Sequence, residues 1–90
     1  MDKIKLKEAL IKVRHEFMED GIFNTHKYNG ICPVVHSMTY YKKLNYSEAQ
    51  AVIDYLMEHK PKQMHSKNLF FAPRDAENRI KYLDNLIDSL

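Results

Sequence analysis

Residues 2–20 read DKIKLKEALIKVRHEFMED. Within them Leu6, Leu10, Val13 and Phe17 recur at i, i+4, i+7 and i+11, and Ile4, Ile11 and Met18 widen the stripe. That spacing is one face of an amphipathic helix over 2–20, and a helix is what it predicts. Its opposite face carries Lys3, Lys5, Lys7, Lys12 and Arg14. Gly21 follows, a natural seat for the left-handed residue that ends a helix.

Three more helices are expected downstream. Asn29-Gly30 is a turn signal, but Pro33 follows too soon for a hairpin's second strand. The turn therefore leads into a helix over 33–44 with Pro33 at its first position and Cys32 at or near the N-cap. Val34, Met38 and Tyr41 line its inner face, with Val35 and Leu44 on the flanks. Ser47-Glu48-Ala49-Gln50 fits a capping box, and Ala49, Val52, Ile53, Leu56 and Met57 continue a helix over 47–59, stopped by Pro61. Residues 60–68 are polar and basic, and Leu69-Phe70-Phe71-Ala72-Pro73 is a short extended apolar run. Ala76, Ile80, Leu83, Ile87 and Leu90 set a last helix over 74–89. The expected fold is all-α: one compact domain over 1–90, with about four helices, a long first loop and an extended segment before the last helix.

The composition narrows the class. Ninety residues with 44% hydrophobic and 29% charged side chains make one domain able to bury about two thirds of its surface. Two Gly and three Pro exclude a linker or low-complexity chain. No apolar run nears the ~20 residues of a membrane span, and the first residues lack a secretory h-region, so no membrane is expected. One cysteine fits a reducing, cytoplasmic setting. A net charge of +2 is too small to diagnose nucleic-acid binding.

Catalytic and metal chemistry find few supports. Cys32 and His36 stand at i, i+4, with His26 before them, but a closed zinc site needs four ligands and there is no second cysteine. A thiol near a helix N-terminus can be a nucleophile, yet Ile31 and Val34 flank Cys32, and a small buried apolar role accounts for it better. The chain has neither a Gly-rich phosphate loop nor a Ser-His-Asp arrangement, and Glu16, Glu19 and Asp20 read as a solvated helix end. We expect no catalytic residue, no metal, no cofactor and no enzyme.

Binding is the stronger expectation. Six tyrosines and five methionines exceed what a small core must contain, and both residue types suit interfaces. Tyr40, Tyr46, Tyr55 and Met64 are the candidates for contact with a partner protein. The alternative is a nucleic acid or nucleotide signal held by Lys3, Lys7, Arg14, Lys42, Lys43, Lys60, Lys62 and Lys67, with tyrosines for stacking. Self-association as a two-fold dimer would also cover such side chains.

Gly30-Ile31-Cys32, Phe70-Phe71-Ala72-Pro73 and Arg79-Ile80-Lys81-Tyr82-Leu83-Asp84-Asn85-Leu86-Ile87 carry a resemblance over about two thirds of the chain. They resemble a family of small phage and prophage proteins with Gly-x-Cys, aromatic-Pro and C-terminal Arg-x-x-x-Leu motifs. The resemblance implies a viral source and a folding signature in which Gly30, Cys32, Phe70, Phe71, Pro73 and Arg79 are structural. Arg79 then either pairs with Asp75 or reaches carbonyls beneath the Phe70-Phe71 segment. For a phage protein of this size, the implied role is non-enzymatic: an inhibitor that occludes or redirects a host protein, for takeover or anti-defence, in the cytoplasm of an infected bacterium.

Overall fold

Asp2 opens the first helix, α1 (Lys3–Glu16), its carboxylate accepting from the Lys5 amide at 2.8 Å. That contact satisfies one of the amides that no helix can fill from within its own first turn. The computed structural model describes residues 2–18, 30–62, 64 and 76–90. Among them the regular elements are four α-helices: α1, α2 (Ile31–Tyr40), α3 (Tyr46–Glu58) and α4 (Ala76–Asp88). The all-α bundle expected from the periodicities is the fold.

Helix α1 is the hub, packing against each of the other three. Ala9, Leu10, Val13 and Phe17 are completely buried, and they meet Val34, Val35 and Met38 of α2, Val52 and Leu56 of α3, and Leu83 of α4 in one core. The stripe is narrower than its sequence suggests: Ile4, Ile11 and Met18 are 73%, 47% and 41% exposed. A helix face of limited width buries only its centre, and the flanking apolar residues stay in water. The helix bonding also relaxes early, into a widened turn at 17–18. Residues 19–29, including the expected Gly21 terminus, lie outside the described residues.

Two helix starts differ from expectation. α2 begins at Ile31 after an extended Gly30, so Pro33 is the third helical residue and Cys32 the second. The first-turn amides have no intrahelical acceptor anyway, so a proline there loses nothing. α3 is capped by Asn45, not Ser47: Asn45 Oδ1 accepts from the Glu48 amide at 2.8 Å and Glu48 Oε1 accepts from the Asn45 amide at 3.0 Å. This is a complete capping box, shifted two residues upstream of the one read from sequence. Leu44 sets the shift, because it is buried against the core and brings Asn45 to the helix mouth.

α2 ends in a Schellman motif. The Lys43 amide donates to the Met38 carbonyl at 2.7 Å and the Lys42 amide to that of Thr39 at 3.1 Å. The residue between helix and turn must then be left-handed, and Lys42 has φ 62°. Glycine normally fills that position because a Cβ there costs about 1 kcal/mol or more. Lys42→Gly should therefore raise stability by about 0.5–1 kcal/mol in urea denaturation, while Lys42→Ala gains nothing. Equal effects of the two would show that the lysine charge, not its backbone, matters. The early end of α2 also overturns the inner place expected for Tyr41, which is 68% exposed as the cap residue.

Tyr82 joins the last two helices. Its hydroxyl donates to the Leu56 carbonyl at 2.7 Å, in the last turn of α3, where the helix supplies no donor of its own. The extended segment expected at 69–73, with Phe70, Phe71 and Pro73, lies outside the described residues, as does Asp75.

Candidate functional site

The turn between α2 and α3 concentrates the exposed aromatic surface. Tyr40, Tyr41 and Tyr46 are 79%, 68% and 85% exposed within seven residues of chain. The Tyr40 and Tyr41 rings meet edge to face, centroids 5.0 Å apart and planes at 86°. Lys42, exposed and left-handed, lies between them and Tyr46 in the chain. The cause is local. α2 stops at Tyr40, the Schellman turn follows, and only Leu44 returns to the core before α3 starts.

A furrow runs from this turn along the outside of the α2–α3 pair. Val35, His36, Thr39, Tyr46, Ala49, Gln50 and Ile53 line its length, and Lys42, Leu44 and Asn45 join Thr39 and Tyr46 at its turn end. The Thr39 hydroxyl already donates to the Val35 carbonyl at 2.9 Å, and the Gln50 amide to Asp54 at 2.8 Å. Val35, Ala49 and Ile53 supply its aliphatic lining, beside the exposed His36 and Tyr46. Residues 30–47 contain no Asp or Glu.

Two of the cations proposed for phosphate binding, Arg14 and Lys43, are held in ion pairs. Arg14 pairs with Asp84 of α4. Lys43 Nζ donates to both Glu16 oxygens, at 3.1 and 2.9 Å, and Glu16 is nearly buried. Lys12 lies 3.7 Å from Glu48. Lys3, Lys42, Lys60 and Lys62 are exposed, Lys7 is half-buried, and Lys67 lies outside the described residues. A second cleft, of about 480 Å³, opens between Ile11, Lys12, His15, Glu16, Met38 and Lys43.

The other candidates separate. Tyr55 is half-buried beside the core, its ring 4.2 Å from that of His59, whose Nδ1 lies 2.9 Å from the Tyr55 carbonyl. Met64 is 3% exposed and belongs to the core, so the surface role expected for it is corrected: a thioether there fills space between elements. Gly30 is the extended residue before α2, and Arg79 is 2% exposed, a buried cation that only a polar surrounding can sustain. Cys32 is buried and desolvation pushes its thiol pKa up, which suppresses the thiolate a nucleophile needs. Among the described residues no three His, Cys, Asp or Glu side chains are placed to hold a metal ion. No described helix is long and apolar enough to cross a membrane.

Sequence reasoning picked out Tyr40 and Tyr46 for a protein surface, left Tyr41 off that list as a residue of the inner face, and missed the furrow. Tyr41 has the spacing of a core residue, and only the helix terminus removes it from the face. The furrow needs α2 and α3 side by side, for which no local pattern exists. Comparison with family models, curated proteins and solved structures finds no match.

Proposed function

We propose that this chain is a non-catalytic binding protein that engages another protein through the α2–α3 turn and so occludes or redirects it. The observation that carries this reading is the group of three tyrosines, each more than two thirds exposed, around one turn. Tyrosine supplies large contact area with a hydrogen-bonding tip at low entropic cost, and it is enriched where proteins meet. The T-shaped Tyr40–Tyr41 contact favours a protein over a nucleic acid, because a stack of bases needs parallel open faces. The ion pairs on Arg14 and Lys43, two of the cations proposed for phosphate, weigh the same way. The resemblance to small phage proteins supplies the setting: a host protein inside an infected bacterium.

Affinity capture from a bacterial lysate tests it. At about 0.5 M salt, where phosphate-driven binding has largely collapsed, the wild-type chain should retain a discrete protein. The triple variant Tyr40→Ser, Tyr41→Ser, Tyr46→Ser should lose it with an unchanged circular dichroism spectrum, since none of the three is in the core. Salt-sensitive retention of oligonucleotide alone would replace this reading with the nucleic-acid one. A light-scattering mass of twice 10.7 kDa, lost in the triple variant, would assign the tyrosines to a dimer instead.

A further inference from the structure

We infer that the α2–α3 furrow is a receptor for one amphipathic helix of the partner, apolar on its docking face and carrying carboxylates at the end that meets Lys42. The inference rests on the protein-binding reading and names the chemistry of the partner. Three observations converge on it. The furrow has an aliphatic lining along two side-by-side helices, with Val35 on one wall and Ala49 and Ile53 on the other. A groove of that kind accepts apolar anchors spaced i, i+3 or i+4, and i+7, as a single docked helix presents them. Of its polar groups, Thr39 and Gln50 are hydrogen-bonded within the chain, and the exposed His36 and Tyr46 leave polar atoms for the rim of a docked helix.

Charge selects the sign of the occupant. Lys42 lines the turn end of the furrow, residues 30–47 contain no carboxylate, and the next acid, Glu48, is engaged by the Asn45 amide and by Lys12. The acid bordering the other end, Asp54, accepts from Gln50. A carboxylate on the occupant, or the negative C-terminal end of its helix dipole, gains from Lys42, while a lysine placed there meets a like charge. The left-handed backbone at Lys42 holds the ammonium's stem at a defined point of the turn instead of leaving it on a free helix end.

The test uses stapled helices of about 15 residues, with leucines at i, i+4 and i+7, as probes in two forms. One form carries glutamates at the end expected to meet Lys42, the other lysines at the same positions. Amide chemical shifts of the full chain report where each binds. The glutamate form should shift Val35, Thr39, Ala49 and Ile53 and bind at least about tenfold tighter than the lysine form. Lys42→Glu should reverse that order, and Ile53→Asp should weaken both forms. The shift map stands even where Ile53→Asp disturbs folding. Equal affinity of the two forms, shifts on another face, or no shift up to about 1 mM overturns the inference. So does an oligothymidine or a second copy of the chain occupying the same residues. If the helices fail while lysate capture still depends on Tyr40, Tyr41 and Tyr46, the protein-binding reading survives and the furrow does not.

Discussion

Phe17→Ala should cost about 3–5 kcal/mol, the largest single effect expected in this chain. Phe17 is completely buried at the end of α1, in the core shared with the other three helices. Truncation removes its transfer free energy and leaves a cavity that the surrounding helices close only in part. A domain of this size is stable by roughly 5–15 kcal/mol, so the variant would lose about a fifth or more of its stability, and up to about all of it at the low end. A fall in Tm on the order of 20 °C is expected. Met18→Ala, one residue on and 41% exposed, is the control and should change stability by less than about 1 kcal/mol. Similar losses at both positions in thermal and urea denaturation would mean that the inner face of α1 has been misassigned.

Tyr82→Phe should cost about 1–2 kcal/mol at neutral pH, by leaving the Leu56 carbonyl in the interior without its 2.7 Å donor. Its pH dependence is the sharper check. Burial, with a smaller repulsion from Tyr55, raises the Tyr82 phenol well above its ordinary value of 10.0. Below pH 10 the phenol is protonated in both states and its contribution is complete. Above pH 10 the unfolded chain releases the proton while the folded one keeps it. Stability then falls with rising pH, by up to about 1.4 kcal/mol per unit, until the folded pKa is passed. The gap between wild type and Tyr82→Phe should therefore shrink between about pH 10 and 11.5. A gap that stays constant through that window would remove Tyr82 from the buried bond.

The helices were legible because their periodicities are long and their faces clean. Leu10, Val13 and Phe17 in α1, and Ile80, Leu83 and Ile87 in α4, are buried as their spacing demands. The ends were harder to place. Asn45 and Ser47 both stand three residues ahead of a Glu or Gln, and two boxes two residues apart match one template equally. What decides between them is the burial of Leu44, a tertiary fact. Pro33 misled by two positions because any residue of the first turn tolerates it. At the surface, Tyr40 and Tyr46 were recognisable from their places off the apolar faces. Met64 was not, since it sits in a polar stretch and its burial depends on elements distant in the chain. The furrow and the three ion pairs are products of packing and leave no trace in the local pattern.

Those three pairs start from alternate positions of a single helix. Lys12 reaches Glu48 of α3, Arg14 reaches Asp84 of α4, and Glu16 holds Lys43 beyond α2. During synthesis α1 leaves the ribosome first, yet Asp84 lies 70 residues later than Arg14. At roughly 5–20 residues per second, α1 waits several seconds with its core face covered only in part, by α2 and α3, before its last neighbour is made. The interval is imposed by topology, since no nearer segment completes that face. A nascent chain arrested before α4 would keep presenting the part of the stripe that α4 covers, and holding chaperones or proteases would meet it there. The helix that organises the finished molecule is thus the one that spends longest without it.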